Sequence, residues 1–278
     1  MNALRYGALA GILLAGHVVA AADTVVQENA WTEHYPVSIP AASLAIDNIW
    51  GSVRVRSGDV DRISVTISER RAAPSAELFD RSMTMYFLDT RADEGGVSIH
   101  VGGADRNWRQ MNRCTGCRVD YQFDVIVPPG TNVDVGTIVD GRVTVSGDLG
   151  TVSASNVNGP IDVDGLKNCA RVASVNGPID LDFAGTPGSD CTIESINGDI
   201  TLAMPGDAGI DMALDLFNGR VVSELDVEPV ALPATIEAIS DNGRHAYRIE
   251  QPAGLRVGAG GPSYRISSLN GDVRIRKL

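Results

Sequence analysis

The hydrophobic pattern of this chain is a repeat centred on glycine. Apolar residues stand two positions before the glycine and two and four positions after it, and asparagine most often comes directly before it. In four such segments the glycines are separated by 18, 21 and 21 residues. A fixed period near 20 with the turn in register is typical of stacked repeat architectures. The four segments are residues 157–163, 175–181, 196–202 and 217–223.

Three further segments, at residues 49–55, 139–145 and 269–275, extend the pattern over most of the chain. The seven segments contain 21 positions at which an apolar residue is expected, and only Ser223 departs from the expectation. With an apolar background of about 45%, such agreement does not arise by chance. The pattern breaks between residues 223 and 261, where Asp241-Asn-Gly offers the turn alone and predicts a loosened coil.

After each glycine the apolar positions alternate with period two, which predicts short strands with one face buried. Two architectures use an Asn-Gly turn in this setting. In a meander it joins antiparallel strands as a hairpin, whereas in a β-solenoid it forms a corner between strands that stack in parallel. The constant register and the prolines Pro160 and Pro178 after the glycine favour the second. The sequence therefore predicts an all-β, single-stranded β-solenoid of stacked coils of 18–21 residues.

The part before the regular coils is more varied. Residues 23–130 read as an irregular β-rich region, in which residues 83–88 and 97–101 flank a glycine turn and predict a hairpin. Residues 71–82 are a helix candidate with Pro74 in the first turn. The regular coils follow over residues 131–278, and the two regions are expected to form one domain, 23–278.

The first 22 residues have the features of a secretory signal peptide. Arg5 precedes an apolar run over residues 8–19, and Ala20-Ala21-Ala22 offers a cleavage site. No other segment approaches the roughly 18 unbroken apolar residues of a spanning helix. The chain is therefore expected to be exported, either to the periplasm or to the cell surface and medium, with no integral membrane segment after cleavage.

Charge excludes two classes of partner. The chain carries 23 basic and 35 acidic side chains; removing residues 1–22 leaves 22 against 35, a net charge of −13. Such a surface repels nucleic-acid phosphates and anionic membranes. We therefore expect neither as a partner.

Four cysteines in an exported chain predict disulfides, with three possible pairings. Cys169 and Cys191 precede the corner asparagines of successive repeats by seven and six residues, so stacking brings them within bonding reach. Cys114 and Cys117 would then form a local clip. A redox pair is the alternative, because nearby arginines favour a thiolate, but no helix start is visible there. These arginines are Arg106, Arg109, Arg113 and Arg118.

The candidate chemistry is a patch of four aspartates on the outer side of successive coils. Stacking would bring together Asp162, Asp164, Asp180 and Asp182. The patch is interpreted as a solvated acidic face opposed by Arg or Lys, as a calcium site of oxygen ligands, or as a carboxylate pair for polysaccharide cleavage. No cofactor-binding motif, nucleophile elbow or zinc motif occurs, and the regular coils contain no histidine.

The signal segment, the early alternating strands, the Val-Ile-Val-Pro-Pro segment at 125–129 and the recurring Ser-Val-Asn-Gly-Pro-Ile-Asp coils resemble the bacterial putative-adhesin family. The resemblance covers about residues 40–278 and implies an envelope β-solenoid domain without defined catalytic residues. The expected function is a non-enzymatic binding, adhesion or scaffold module whose partner is an unknown envelope protein or glycan. The alternative is a carbohydrate-active β-helix enzyme, a hydrolase or lyase, that uses the aspartate patch.

Overall fold

The computed structural model describes residues 19–21, 24–38, 42–103, 114–232, 235–241, 244–250 and 252–278, and for 19–21, 235–241 and 244–250 it describes the backbone alone. Most of the predicted signal peptide lies outside these residues, as do Arg106, Arg109 and Arg113. The structure is all-β, with 64% of residues in strands and one helix in the described part. No described helix is long and apolar enough to cross a membrane.

The elements follow one another along the chain in two groups. Those before the regular coils are β1 (Val19–Ala21), β2 (Thr24–Pro36), β3 (Ser43–Asp47), β4 (Val53–Ser57), β5 (Arg62–Ala73), α1 (Ala76–Met85), β6 (Leu88–Asp93), β7 (Gly96–Val101) and β8 (Arg118–Val127). The others are β9 (Asn132–Thr137), β10 (Val143–Ser146), β11 (Thr151–Asn158), β12 (Ile161–Leu166), β13 (Asn168–Asn176), β14 (Ile179–Phe183), β15 (Cys191–Asn197), β16 (Ile200–Met204), β17 (Ile210–Asn218), β18 (Val221–Ser223), β19 (Val227–Val230), β20 (Thr235–Asp241), β21 (Arg244–Glu250), β22 (Ala253–Val257), β23 (Ser263–Asn270) and β24 (Val273–Lys277).

Two mixed eleven-stranded sheets make up most of the fold. The first sheet has the order β1-β2-β5-β8-β4-β10-β12-β14-β16-β24-β18, and the second has the order β19-β22-β17-β23-β15-β13-β11-β9-β3-β7-β6. Buried side chains of both sheets form one hydrophobic cluster. Within it, the ring of Phe183 on β14 packs edge-to-face on that of Tyr264 on β23, with centroids 5.9 Å apart. The core therefore lies between the two sheets.

The strands that follow the seven repeat glycines lie side by side in the first sheet. The strand after each glycine is β4, β10, β12, β14, β16, β24 or β18, and neighbours in this series pair in parallel. The register is constant, since Val143, Ile161 and Ile179 are aligned across three strands. Parallel pairing excludes the meander of hairpins for these segments, because hairpin strands would be antiparallel.

The stacking order differs from the chain order. The last segment, 269–275, lies between 196–202 and 217–223, since β24 pairs with both β16 and β18. In the same way, β23 lies between β15 and β17 in the second sheet. The chain therefore leaves the stack after β18, and its last segment returns to pair between β16 and β18. The repeat period cannot predict this stacking order, because it gives the length of each coil but not which coils pair with each other.

In four of the seven segments one of the three apolar positions points away from the core. Val157, Val175, Ile196 and Leu269, two places before glycine, each follow a buried polar residue, whereas Ile49 in the first segment is 1% exposed. Ser174 and Ser195 occupy this buried position, and each Oγ donates to the carbonyl of the following corner glycine at 3.0 Å. A buried carbonyl needs such a donor. Strand alternation then places the next residue, Val175 or Ile196, on the outside.

The predicted helix begins later than expected. Strand β5 continues to Ala73, Pro74 follows it, and α1 spans Ala76–Met85 rather than 71–82. Ser75 is the N-cap, and its side chain accepts from the Leu78 N–H, as is usual for serine at this position. The predicted hairpin is present as β6 and β7, paired antiparallel. Its first strand starts at Leu88 because the residues before it belong to the helix and its C-terminal cap.

The segment predicted as a loosened coil contains a hairpin instead. Strands β20 and β21 pair antiparallel with each other and with neither large sheet. Asn242 and Gly243, between them, lie outside the described residues. On either side of this hairpin, β19 and β22 pair antiparallel and extend the second sheet beyond β17.

Candidate functional site

The outer surface of the first sheet, from β4 to β24, carries charges in bands. We call it the banded face. The third residue after each glycine gives one row across it and the fifth residue gives another. The first row is Arg54, Thr144, Asp162, Asp180, Thr201 and Arg274, and the second is Arg56, Ser146, Asp164, Asp182, Ala203 and Arg276. Two acidic strands therefore lie between uncharged strands, with an arginine pair on each outer side.

The four predicted aspartates lie together at the centre of this face. Asp162 is aligned with Asp180, and Asp164 with Asp182, on the adjacent strands β12 and β14, which are about 4.8 Å apart. We call these four residues the acidic band. Its carboxylates are partly or fully exposed, so water screens much of their mutual repulsion.

Arginines lie against the acidic band from both sides. Arg142 Nη1 donates to Asp162 Oδ2 at 2.5 Å. On the opposite side, Arg274 Nη1 donates to Asp199 Oδ2 at 2.5 Å, and the Arg276 charge acts on Asp182. The surroundings match the interpretation of a solvated acidic face opposed by arginine. Exposed pairs of this kind contribute little to stability.

The carboxyl of Asp182 has a raised pKa. Partial burial raises this pKa, the nearby Asp164 raises it further, and Arg276 opposes the rise. Asp199, one strand away, shows the opposite behaviour, because the hydrogen bond from Arg274 lowers the pKa of its carboxyl. The face therefore holds a carboxyl, Asp182, that keeps its proton to a higher pH than an ordinary aspartate does, which is a property of general acids.

The acidic band lacks the geometry of a metal centre. Among the described residues, no group of three or more His, Cys, Asp or Glu side chains is placed to hold a metal ion. Aspartates aligned on flat neighbouring strands project side by side, whereas calcium needs six to eight oxygens that converge on one point. The calcium interpretation of Asp162, Asp164, Asp180 and Asp182 stays a prediction.

The corners form a second ordered surface. The corner asparagines make a ladder in which the Oδ1 of each accepts a hydrogen bond from the Nδ2 of the next in stacking order, at 2.9–3.0 Å. Beside them runs a ridge of outward apolar side chains, the last three of which are 43%, 45% and 77% exposed. In stacking order, the ladder is Asn158, Asn176, Asn197, Asn270 and Asn218, and the ridge is Val157, Val175, Ile196, Leu269 and Phe217.

The glycine-centred pattern predicts that the ridge positions are apolar but does not assign them to a face of the strand. A signal for its true position was present, because the residue before each ridge position in residues 156–195 is Asn or Ser. Side chains in a strand alternate between its two faces. A buried Asn or Ser therefore places the Val or Ile that follows it on the outside. Apolar character alone does not distinguish the two faces of a strand.

Both disulfides join the cysteines that the stacking suggested. Cys169 is bonded to Cys191 with Cα atoms 5.1 Å apart, which ties β13 to β15. Cys114 is bonded to Cys117, with Cα atoms 5.4 Å apart, in the loop before β8. The Cys114 Sγ lies 3.3 Å from the Leu78 carbonyl of α1. This buried bond beside the helix, with no helix starting at the cysteines, has the geometry of a structural clip.

The histidines are placed outside the banded face. On the exposed surface of β2 and β5, His34 Nδ1 lies 2.9 Å from Ser64 Oγ. This contact joins residues directly opposite each other in an antiparallel pair. His100 Nδ1 lies 3.8 Å from Asp47 in the second sheet. His17 and the side chain of His245 lie outside the described structure. The Ser64–His34 contact is an ordinary cross-strand pair.

Solved structures that resemble this chain include a putative cell adhesion protein and a putative lipid binding protein. No family model and no curated protein matches the sequence. A putative cell adhesion protein from Clostridium sporogenes superposes with a TM-score of 0.49 at 12% identity, over 90% of this chain and 100% of that one. A putative lipid binding protein from Parabacteroides distasonis gives a TM-score of 0.30 at 14% identity, over 88% of this chain and 96% of that one.

Proposed function

We propose that the chain is a single β-solenoid domain, residues 23–278, that is exported to the cell envelope and serves as a non-enzymatic binding or scaffold module. Its binding surface is the banded face. The partner is a glycan or envelope protein that presents positive groups to the acidic band and negative groups to the arginines on either side.

The observation that carries this proposal is the alignment of outward charges over neighbouring parallel strands. Six strands repeat the same two outward positions, so charges of one sign are collected into bands. A flat array with fixed spacing suits an extended ligand, which contacts several coils at once. Charge complementarity of this type gives specificity and rapid association more than raw affinity.

Export is supported by the cysteines. All described cysteines are in disulfides, and disulfides persist in oxidising compartments. The N-terminal residues 1–22 have the composition of a signal peptide. Mass spectrometry of the protein recovered from the envelope fraction tests this part: a mature chain that begins at residue 23 is expected, and an uncleaved reduced chain would contradict it.

The binding proposal is tested with two matched variants. In the first, the four aspartates of the acidic band become asparagine; in the second, four exposed aspartates outside the face, Asp59, Asp80, Asp207 and Asp226, are changed in the same way. Both lose four negative charges. On glycan and cationic-peptide arrays, binding by the unmodified protein should be lost in the first variant and kept in the second. Equal losses would show that only net charge matters.

Polysaccharide cleavage is the second candidate, and the raised pKa of Asp182 favours it. Asp182 would donate the proton to the leaving oxygen, and the adjacent Asp180 or Asp164 would act as the second carboxylate. Asp182→Asn should then lower cleavage of a polysaccharide panel by roughly 100-fold or more, while Asp226→Asn leaves it unchanged. If the unmodified protein cleaves none of the panel, this candidate is excluded.

A further inference from the structure

The two ends of the stack differ in the elements that cover their last strands. At one end, beyond β4, the first sheet continues through β8, β5 and β2, and α1 packs Leu78, Phe79 and Met85 against the core. At the other end the first sheet stops at the three-residue strand β18. In the second sheet, β22 pairs with only the first part of β17, residues 210–214. No described strand pairs with the outer side of residues 215–218 or of β18. We call this edge the open end.

The core is incompletely covered at the open end. Val273 and Ile275 of β24 are 0% and 1% exposed. Their equivalents one strand further out, Val221 and Ser223, are only partly buried. A cleft of about 710 Å³ opens there, with Leu216, Val221 and Leu255 among its lining residues. The hydrophobic interior thus reaches solvent at this end, which is unfavourable for an isolated molecule.

Exposed apolar side chains mark the same place. Phe217 on β17 is 77% exposed, and Val222 on β18, after the corner, is 46% exposed. Phe217 has the largest exposed fraction among the large hydrophobic side chains described. Apolar surface around an unpaired strand edge is characteristic of a protein interface.

The charges at the open end are mixed, although the whole chain has a net charge of −12. Asp215, Arg220 and Arg265 all line the cleft. Arg220 is within 3.3 Å of Asp272 and its side chain remains 78% exposed. A surface that carries both signs can be complementary to its own copy, because each Asp can meet an Arg of the other molecule under a two-fold axis.

We propose that the open end is an interface for a second copy of this chain, which forms a tail-to-tail dimer. The two β18 strands pair antiparallel across a two-fold axis, and Phe217 and Val222 of each copy cover the cleft of the other. The assembly closes at two subunits because the other end of each stack is covered by α1, β2 and β5. It would place two banded faces on one particle, and it does not depend on which ligand those faces bind.

The test compares matched pairs of exposed apolar residues at the two ends. The open-end variant is Phe217→Ser with Val222→Lys, and the control is Phe87→Ser with Met83→Ser, whose native side chains are 44% and 49% exposed. Sedimentation velocity over a concentration series should show a dimer for the unmodified protein and the control. Dimerisation should weaken by at least roughly tenfold in the open-end variant. Circular dichroism verifies that all three are folded.

A second measurement does not rely on weakening the interface. Val222→Cys should give an intermolecular disulfide across the two-fold axis, whereas Phe87→Cys should not. A monomer at all concentrations up to about 100 µM, well above a micromolar dissociation constant, would overturn the proposal. So would equal dissociation of both double variants, or cross-linking only through Phe87→Cys, since the interface would then lie elsewhere.

Discussion

The two ends of this stack differ in what ties the last strands to the rest of the molecule. At the helix end, Arg71 is buried and donates to Glu69, to Ser82 of α1 and to the carbonyl of Tyr86, the C-cap residue of the helix. The hydroxyl of Tyr121 on β8 joins the same network. At the open end, backbone pairing to β24 and a side-chain ladder hold the last strand. One end is therefore specified by unique side chains and the other by the repeat alone.

This difference shows what a repeat can and cannot encode. Each coil provides backbone hydrogen-bond partners for the next coil, so the repeat pattern does not specify where the stack ends. Termination needs residues that break the pattern, such as the helix and its buried arginine. Where no such residues occur, a strand edge and part of the core remain available to another chain.

The largest effect is expected at the helix end. Arg71→Met removes the partner of Glu69, which is 8% exposed, and leaves a buried charge without compensation. The free energy of unfolding should fall by about 3–5 kcal/mol, measured by urea denaturation. The control is Arg171→Met within the regular repeat, an exposed arginine that pairs with Glu194; it should change the free energy of unfolding by less than about 0.5 kcal/mol. Similar losses in both variants would contradict the contrast between the helix end and the repeat.

The disulfides give the next largest effect. Replacing Cys169 and Cys191 by serine opens a loop with a sequence separation of 22, which should cost about 3 kcal/mol. Replacing Cys114 and Cys117, with a separation of 3, should cost about 2 kcal/mol, because a shorter loop constrains the unfolded chain less. Chemical denaturation of both double variants measures the difference. A larger loss for the second pair would indicate that the clip beneath α1 contributes mainly through the helix.

The regular part of the molecule was predictable because its information is local and repeated. The alternation after each glycine predicted strands β10, β12, β14 and β16, and their common register predicted parallel stacking and the Cys169–Cys191 bond. The aspartates of the acidic band followed from the same register. Their alignment required only that equivalent residues lie on adjacent strands.

Other features depend on contacts that the period does not contain. Strand β24 pairs between β16 and β18. Because every coil follows the same repeat pattern, that pattern cannot predict which strand edges β24 pairs with. The outward position of Val175 and Ile196 goes with the buried Ser174 and Ser195, each of which donates to the carbonyl of the glycine three residues further on, a contact that apolar patterning does not include. The Arg71 network joins residues up to 50 positions apart, so no local pattern announces it.

The asparagine ladder separates the interior of the stack from its open end. Asn197 both donates to Asn176 and accepts from Asn270. Asn218, the outermost rung, has one described ladder bond, to Asn270. Asn197→Ala should therefore lower the free energy of unfolding by about 1 kcal/mol and Asn218→Ala by about half as much. Thermal and urea denaturation measure both. A larger loss for Asn218 would contradict this order and show that the number of ladder bonds does not set the contribution of a rung.

The smallest effect concerns the carboxyls between the ends, and its sign depends on pH. Asp182 has a pKa raised above its ordinary 3.8, so its ionised form destabilises the folded state. This cost is absent below that value and complete above the raised pKa. Asp182→Asn should therefore stabilise the protein at pH 7, by no more than about 0.5 kcal/mol, and the gain should vanish in acid.

Asp199 provides the opposite case on the neighbouring strand, because Arg274 lowers its pKa. Its ionised form stabilises the folded state above the ordinary pKa, and this contribution is lost as the pH falls through the lowered value. Asp199→Asn should thus destabilise the protein at pH 7 and become neutral in acid. Urea titrations of both variants between about pH 3 and pH 7 measure the two slopes. Slopes of the same sign would mean that net charge, rather than the local arginine and aspartate neighbours, controls the banded face.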